Sequence, residues 1–138
     1  YPLAAVIPKY RRKGREGQRN LAFIASIVGY TAAVAYGFAA HVRRGLLLIY
    51  LTYFFSVAML TVCNRLLMLR ASGHACSIAG PLILTVYFIG WKCILPCAVL
   101  FAFIIWASLA IKRHTPKELL AGSGCAVVAF AISLFITM

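Results

Sequence analysis

Five stretches of this 138-residue chain contain no Lys, Arg, Asp or Glu: residues 20–40, 45–64, 71–91, 93–111 and 119–138. Each comes close to the ~20 residues that a helix needs to cross a bilayer. Apolar side chains occupy the whole circumference of each stretch, which excludes a helix lying flat on a membrane surface. The runs recur to the last residue, so none reads as a cleaved targeting segment. The pattern predicts an all-α, multi-pass membrane helical bundle forming one domain over residues 1–138. It has five spanning helices, the first starting near Asn20 and the last near Thr115. Tyr1-Pro2-Leu3-Ala4-Ala5-Val6-Ile7-Pro8 is too short to span and reads as the end of a sixth, N-terminal helix whose beginning lies outside the chain.

Charge is scarce and one-sided. Charged residues make up 12% of the chain, with 14 Lys and Arg against two acidic residues, for a formal charge of +12. A soluble domain carries about 25% charged residues. A basic excess can mark a nucleic-acid binder, but such a protein displays it on a polar fold. Here the bases sit in short clusters between apolar runs, which points to membrane lipids as partners and not to nucleic acid. Five spans place residues 9–19, 65–74 and 112–118 on one side of the membrane. All the Lys and Arg except Arg43, Arg44 and Lys92 fall there. Lys and Arg mark a cytoplasmic face by themselves. His74 and His114 share this face, at two separate helix junctions, and ionisable groups at membrane depth are costly and tend to be functional.

The inventory excludes several chemistries. There is no Asp for a Ser-His-Asp triad and no carboxylate pair suited to glycoside hydrolysis. No GxxxxGK[ST] or HExxH stretch occurs. The cysteines at 63, 76, 93, 97 and 125 are scattered, with only Cys93 and Cys97 one helical turn apart, and read as small buried hydrophobes. A His74/Cys76 metal site lacks further ligands. A phosphate ester fits better. Its hydrolysis without metal or cofactor needs a clamp of fixed positive charge, a nucleophile and a proton donor for the leaving group. Arginine pairs bidentately with phosphate oxygens. One histidine can accept the phosphoryl group while a carboxylate holds its tautomer, and a second can protonate the departing alkoxide. Around His114 a structural reading competes, because Thr115-Pro116-Lys117-Glu118 is also a helix start of the capping-box type.

Three short motifs carry a resemblance. Arg12 and Arg19 are separated by six residues and followed by Asn20, giving R-x6-R-N. Residues 71–74 read A-S-G-H. Ala107 and Ser108 lead through five residues to His114 and through three more to Glu118, giving A-S-x5-H-x3-E. In order and spacing these resemble the K-x6-R-P, P-S-G-H and S-R-x5-H-x3-D motifs of the type 2 phosphatidic acid phosphatases, which share a core with vanadium haloperoxidases. The resemblance spans residues 12–118. It implies an integral membrane phosphatase acting on a lipid phosphate or diphosphate through a phosphohistidine at His114. His74 would be the general acid and Glu118 the orienting carboxylate, while Arg12, Arg19, Ser72 and the Gly73 amide would hold the phosphate. It also implies a site on the extracytoplasmic face, against the simple count of bases. The chain departs from the family at the third motif, where Ser108 replaces an Arg, and Arg70, Lys112 or Arg113 are the nearest substitutes. The alternative is a catalytically weak or inactive membrane protein that binds anionic lipid headgroups with the same basic face.

Overall fold

The computed structural model describes residues 14–138, with side chains from residue 21 onward. The chain forms α1 (Gly14–Ala39), α2 (Arg44–Arg65), α3 (Gly73–Ile89), a 3₁₀ turn (Trp91–Cys93), α4 (Ile94–Ala110) and α5 (Pro116–Thr137), with no strand among the described residues. The first described helix is already formed at Gly14, before the expected Asn20. Arg15, Glu16, Gln18 and Arg19 are good helix formers, and their charge limits the apolar span without ending the helix. The last helix starts as expected, with Thr115 as its N-cap.

Four segments are long and apolar enough to cross a bilayer: Leu21–Ala39, Arg44–Arg65, Trp91–Ala110 and Pro116–Thr137. The remaining expected span, residues 71–91, is shorter. Ser72 caps α3 at its start and Gly90, at φ 104°, stops it after 17 residues. At 1.5 Å per residue that is about 25 Å, against a hydrocarbon core of about 30 Å. The proposed end of a sixth helix, residues 1–8, lies outside the described residues.

Helix α5 is the centre of the bundle, packed on α2 and α3, with α1 against the far side of α2. Its buried face is a stripe of Leu119, Gly122, Cys125, Ala126, Ala129 and Ser133, opposite Leu48, Thr52, Ser56 and Leu60 of α2. Small residues at such a seam let two backbones approach closely, which drives association where lipid removes the hydrophobic difference. The hydroxyls here serve their own helices: Thr52 donates to the Leu48 carbonyl and Ser133 to the Ala129 carbonyl, each at 2.7 Å. Tyr30 of α1 stacks on Tyr53 of α2 with ring centroids 5.6 Å apart. Further along, Gly37 takes the side chains of Leu47 and Tyr50. Phe23, near the start of α1, packs on the cluster of Leu60, Ala71, Cys76, Cys125 and Ala126. This register brings the N-terminal part of α1 to the end of the bundle where α2 finishes and where α3 and α5 begin.

Helix α4 is peripheral. It leans on α3, and Ser108 is its one buried residue. Its outer face exposes large apolar rings, with Phe103 61% and Trp106 64% exposed, as Phe135 of α5 is at 84%. Apolar surface of this kind facing outward suits a hydrocarbon surrounding.

Candidate functional site

Helix α5 starts where its sequence requires. Thr115 adopts an extended N-cap conformation, Pro116 occupies the first turn and Glu118 closes a capping box. The Glu118 backbone N–H donates to Thr115 Oγ1 at 3.3 Å, and the Thr115 N–H donates to Glu118 Oε2 at 3.2 Å. The same Oε2 lies 3.3 Å from His114 Nδ1. An ionised carboxylate only accepts, so with Nδ1 as the donor in this contact a neutral imidazole carries its lone pair on Nε2. His114 and Glu118 are 23% and 22% exposed, shielded by the bundle end yet reachable from outside. Cap and candidate catalyst are therefore one arrangement.

Helix α3 starts beside it. Ser72 is buried, its Oγ accepts from the Ala75 N–H at 3.3 Å, and its carbonyl accepts from the Cys76 N–H at 3.1 Å. The Ser72 N–H donates to the Glu118 carbonyl at 2.9 Å, which ties the first turn of α5 to the cap of α3. Gly122 makes this possible, because a Cβ there would overlap the Ser72 carbonyl oxygen. The free amides and positive dipole ends of two helices converge, an environment that attracts an anion. Gly73 opens α3, and His74 follows with its ring exposed. His74 and His114 thus stand at the same end of the bundle.

The links that meet here are strained. Met68 (φ 51°) and Arg70 (φ 29°) in the α2–α3 link, and Lys112 (φ 49°) in the α4–α5 link, occupy a left-handed region that non-glycine residues rarely adopt. Backbone bonds hold them: Leu69 N–H to the Cys63 carbonyl at 3.0 Å, and Arg113 N–H to the Ser108 carbonyl at 3.2 Å. Asn64 completes the restraint. Its amide donates to the carbonyls of Leu60 (2.9 Å) and Ala71 (3.1 Å), stitching the end of α2 to the residue before Ser72. Arg70 is exposed, two residues before Ser72 in this same link.

Of the residues singled out in the sequence, Ser72, Gly73, His74, Arg70, His114 and Glu118 share one end of the fold. Ser108 is buried at the last turn of α4. Arg12 lies outside the described residues, and Arg19 belongs to the part of α1 described by backbone alone. Asn64 and Gly122 were not singled out. The signal for Asn64 was a polar amide in the last turn of an apolar run, and for Gly122 a small residue one turn after Glu118. Beneath the site Cys63 and Cys125 come together with their sulfurs 3.7 Å apart, a pairing invisible in their spacing. Among the described residues no group of three or more His, Cys, Asp or Glu side chains is placed to hold a metal ion. Comparisons with family models, with curated proteins and with solved structures find no match to this chain.

Proposed function

We propose that the chain is a multi-pass integral membrane phosphatase of the type 2 phosphatidic acid phosphatase kind. It hydrolyses a lipid phosphate or diphosphate at the end of the bundle where α3 and α5 begin. The observation that carries this reading is the Ser72–Glu118 backbone hydrogen bond, which sets the Ser72-Gly73-His74 cap against the His114–Glu118 pair. His114 Nε2 attacks phosphorus, and the bond to the leaving oxygen breaks as His74 protonates it. Glu118 holds the Nδ1 proton and stabilises the imidazolium phosphate that forms. Water, giving a proton to His74, then attacks the phosphohistidine as its P–N bond breaks, releasing inorganic phosphate and returning both histidines to their starting state. The Gly73 amide, Ser72, Arg70 and the arginines at 12 and 19 balance the charge on the phosphoryl oxygens. No metal or cofactor enters this scheme.

Ser108 favours a second reading. The family's arginine at that position is absent, and the serine is buried, so the same cationic end would bind anionic headgroups without turning them over. Phosphate release from phosphatidate or a polyprenyl diphosphate, assayed in detergent with a chelator present, separates the two. Release that vanadate inhibits and His114→Ala abolishes supports the enzyme. Absence of release, with binding to phosphatidate vesicles retained, supports the binder.

A further inference from the structure

Helix α4 leaves α5 as it leans on α3, and the gap between them is a groove of about 530 Å³. Ile83 and Tyr87 of α3 form its floor, Cys97 and Phe101 one wall, and Val127 and Phe130 the other. Its volume falls within the range of small-molecule sites, about 300–1,000 Å³. The hydroxyl near its upper end, on Ser123, is turned to its own helix and donates to the Leu119 carbonyl at 2.9 Å. Apart from the Tyr87 phenol and the Cys97 thiol, the lining offers an occupant aliphatic and aromatic carbon. Tyr87 and Val127 remain exposed, so the groove opens sideways along the helices.

Its upper end and the link beyond it decide what fits. Ser123 and Ala79 mark the top, each five residues below Glu118 and His74, which is about 7.5 Å along a helix. Beyond that upper end the helices continue to the α4–α5 link, about 12 Å from Ser123 along α5, where exposed Lys112 and Arg113 precede His114. An apolar slot running about 10–12 Å along the helix axes, from Ser123 to Phe130 and Ala79 to Tyr87, thus lies below the end of the bundle that carries these cations. The complementary ligand is an amphiphile with an anionic head and a hydrocarbon tail.

We propose that this groove is the tail site for the phosphorylated substrate. One acyl or prenyl chain lies between α4 and α5 while its phosphate sits at His114. The assignment rests on the phosphatase reading for the head and on the groove alone for the tail. Selectivity then comes from chain length and shape, and the α4–α5 gap is the lateral door through which lipid enters.

The full chain in lipid nanodiscs is irradiated with phosphatidate carrying a diazirine midway along one acyl chain, and adducts are mapped by mass spectrometry. Adducts are expected on Phe101, Val127 and neighbouring groove residues, at least tenfold above those from phosphatidylcholine bearing the same diazirine. Equal labelling by the two lipids, or adducts spread over the outer faces of α1 and α4, would mean ordinary boundary lipid and overturn the proposal. A second arm uses Ala98→Phe, which adds a ring at a residue that lines the groove and lies on neither α2 nor the His114–Glu118 pair. The ratio of kcat/KM for a long-chain phosphatidate to that for a two-carbon-chain analogue should fall at least tenfold. An unchanged ratio overturns the proposal, as does cross-linking of the groove to a second copy or to residues 1–13 in place of the lipid. If the wild-type chain releases no phosphate from either substrate, the phosphatase reading fails, and the labelling arm still decides the tail site.

Discussion

Glu118 Oε2 serves two partners at once, the Thr115 N–H and His114 Nδ1, and substitution can separate them. Glu118→Gln keeps an acceptor for the cap but removes the charge that steadies an imidazolium. Turnover should fall roughly a hundredfold, while thermal unfolding in detergent stays near wild type. Thr115→Ala does the reverse, costing about 1 kcal/mol of stability with a smaller effect on rate. If Glu118→Gln leaves a measured phosphatase rate intact, the pair is only a helix start. Arg70 offers the second test at this scale. With Ser108 buried and no guanidinium at that position, Arg70→Ala should lower turnover about 100-fold through lost phosphate stabilisation. An unaffected rate would mean that Arg70 does not replace the missing clamp arginine. His114, Glu118 and the Ser72–His74 cap were legible because their geometry is local: i,i+4 spacing, a proline at the first turn, a serine before a glycine. Asn64 and the Cys63–Cys125 contact were not. Their partners lie across a link or, for the cysteines, 62 residues away in another helix, and no periodicity encodes such distances.

At the level of elements, α3 and α5 start together because one glycine lets them. Gly122→Ala places a methyl against the Ser72 carbonyl. It should cost about 1–3 kcal/mol by overpacking, seen as a lower melting temperature, and should reduce turnover because the two caps separate. Gly124→Ala is the control, with nothing within 4 Å of its added carbon. It should be neutral or stabilising, by up to about 1 kcal/mol, since alanine is the better helix former. Equal effects of the two substitutions would refute the close approach. The apolar runs made the helices themselves legible. Their ends were less so: α1 runs on through charged residues, while the left-handed Gly90 stops α3 short of a full span.

For the whole molecule, the arrangement predicts which lysines share a side. If the bundle crosses the membrane and the site faces outward, an impermeant amine reagent applied to intact cells should modify Lys112 and Lys117 but spare Lys92 at the opposite end. Modification of Lys92 with protection of the other two would reverse the orientation. Modification of all three would end the multi-pass reading.

The seam between α2 and α5 has a consequence for how the protein is made. Its two halves are separated by the fifty residues between Arg65 and Pro116, and a ribosome delivers them in that order. Until α5 emerges, Thr52 and Ser56 of α2 have no small-residue face to meet, and Ser72 has no Glu118 carbonyl to bond. The helices before α5 can form early, but the paired starts of α3 and α5 are completed only when α5 arrives. A nascent chain stopped before α5 would have the Ser72 cap of α3 in place and nothing for it to face.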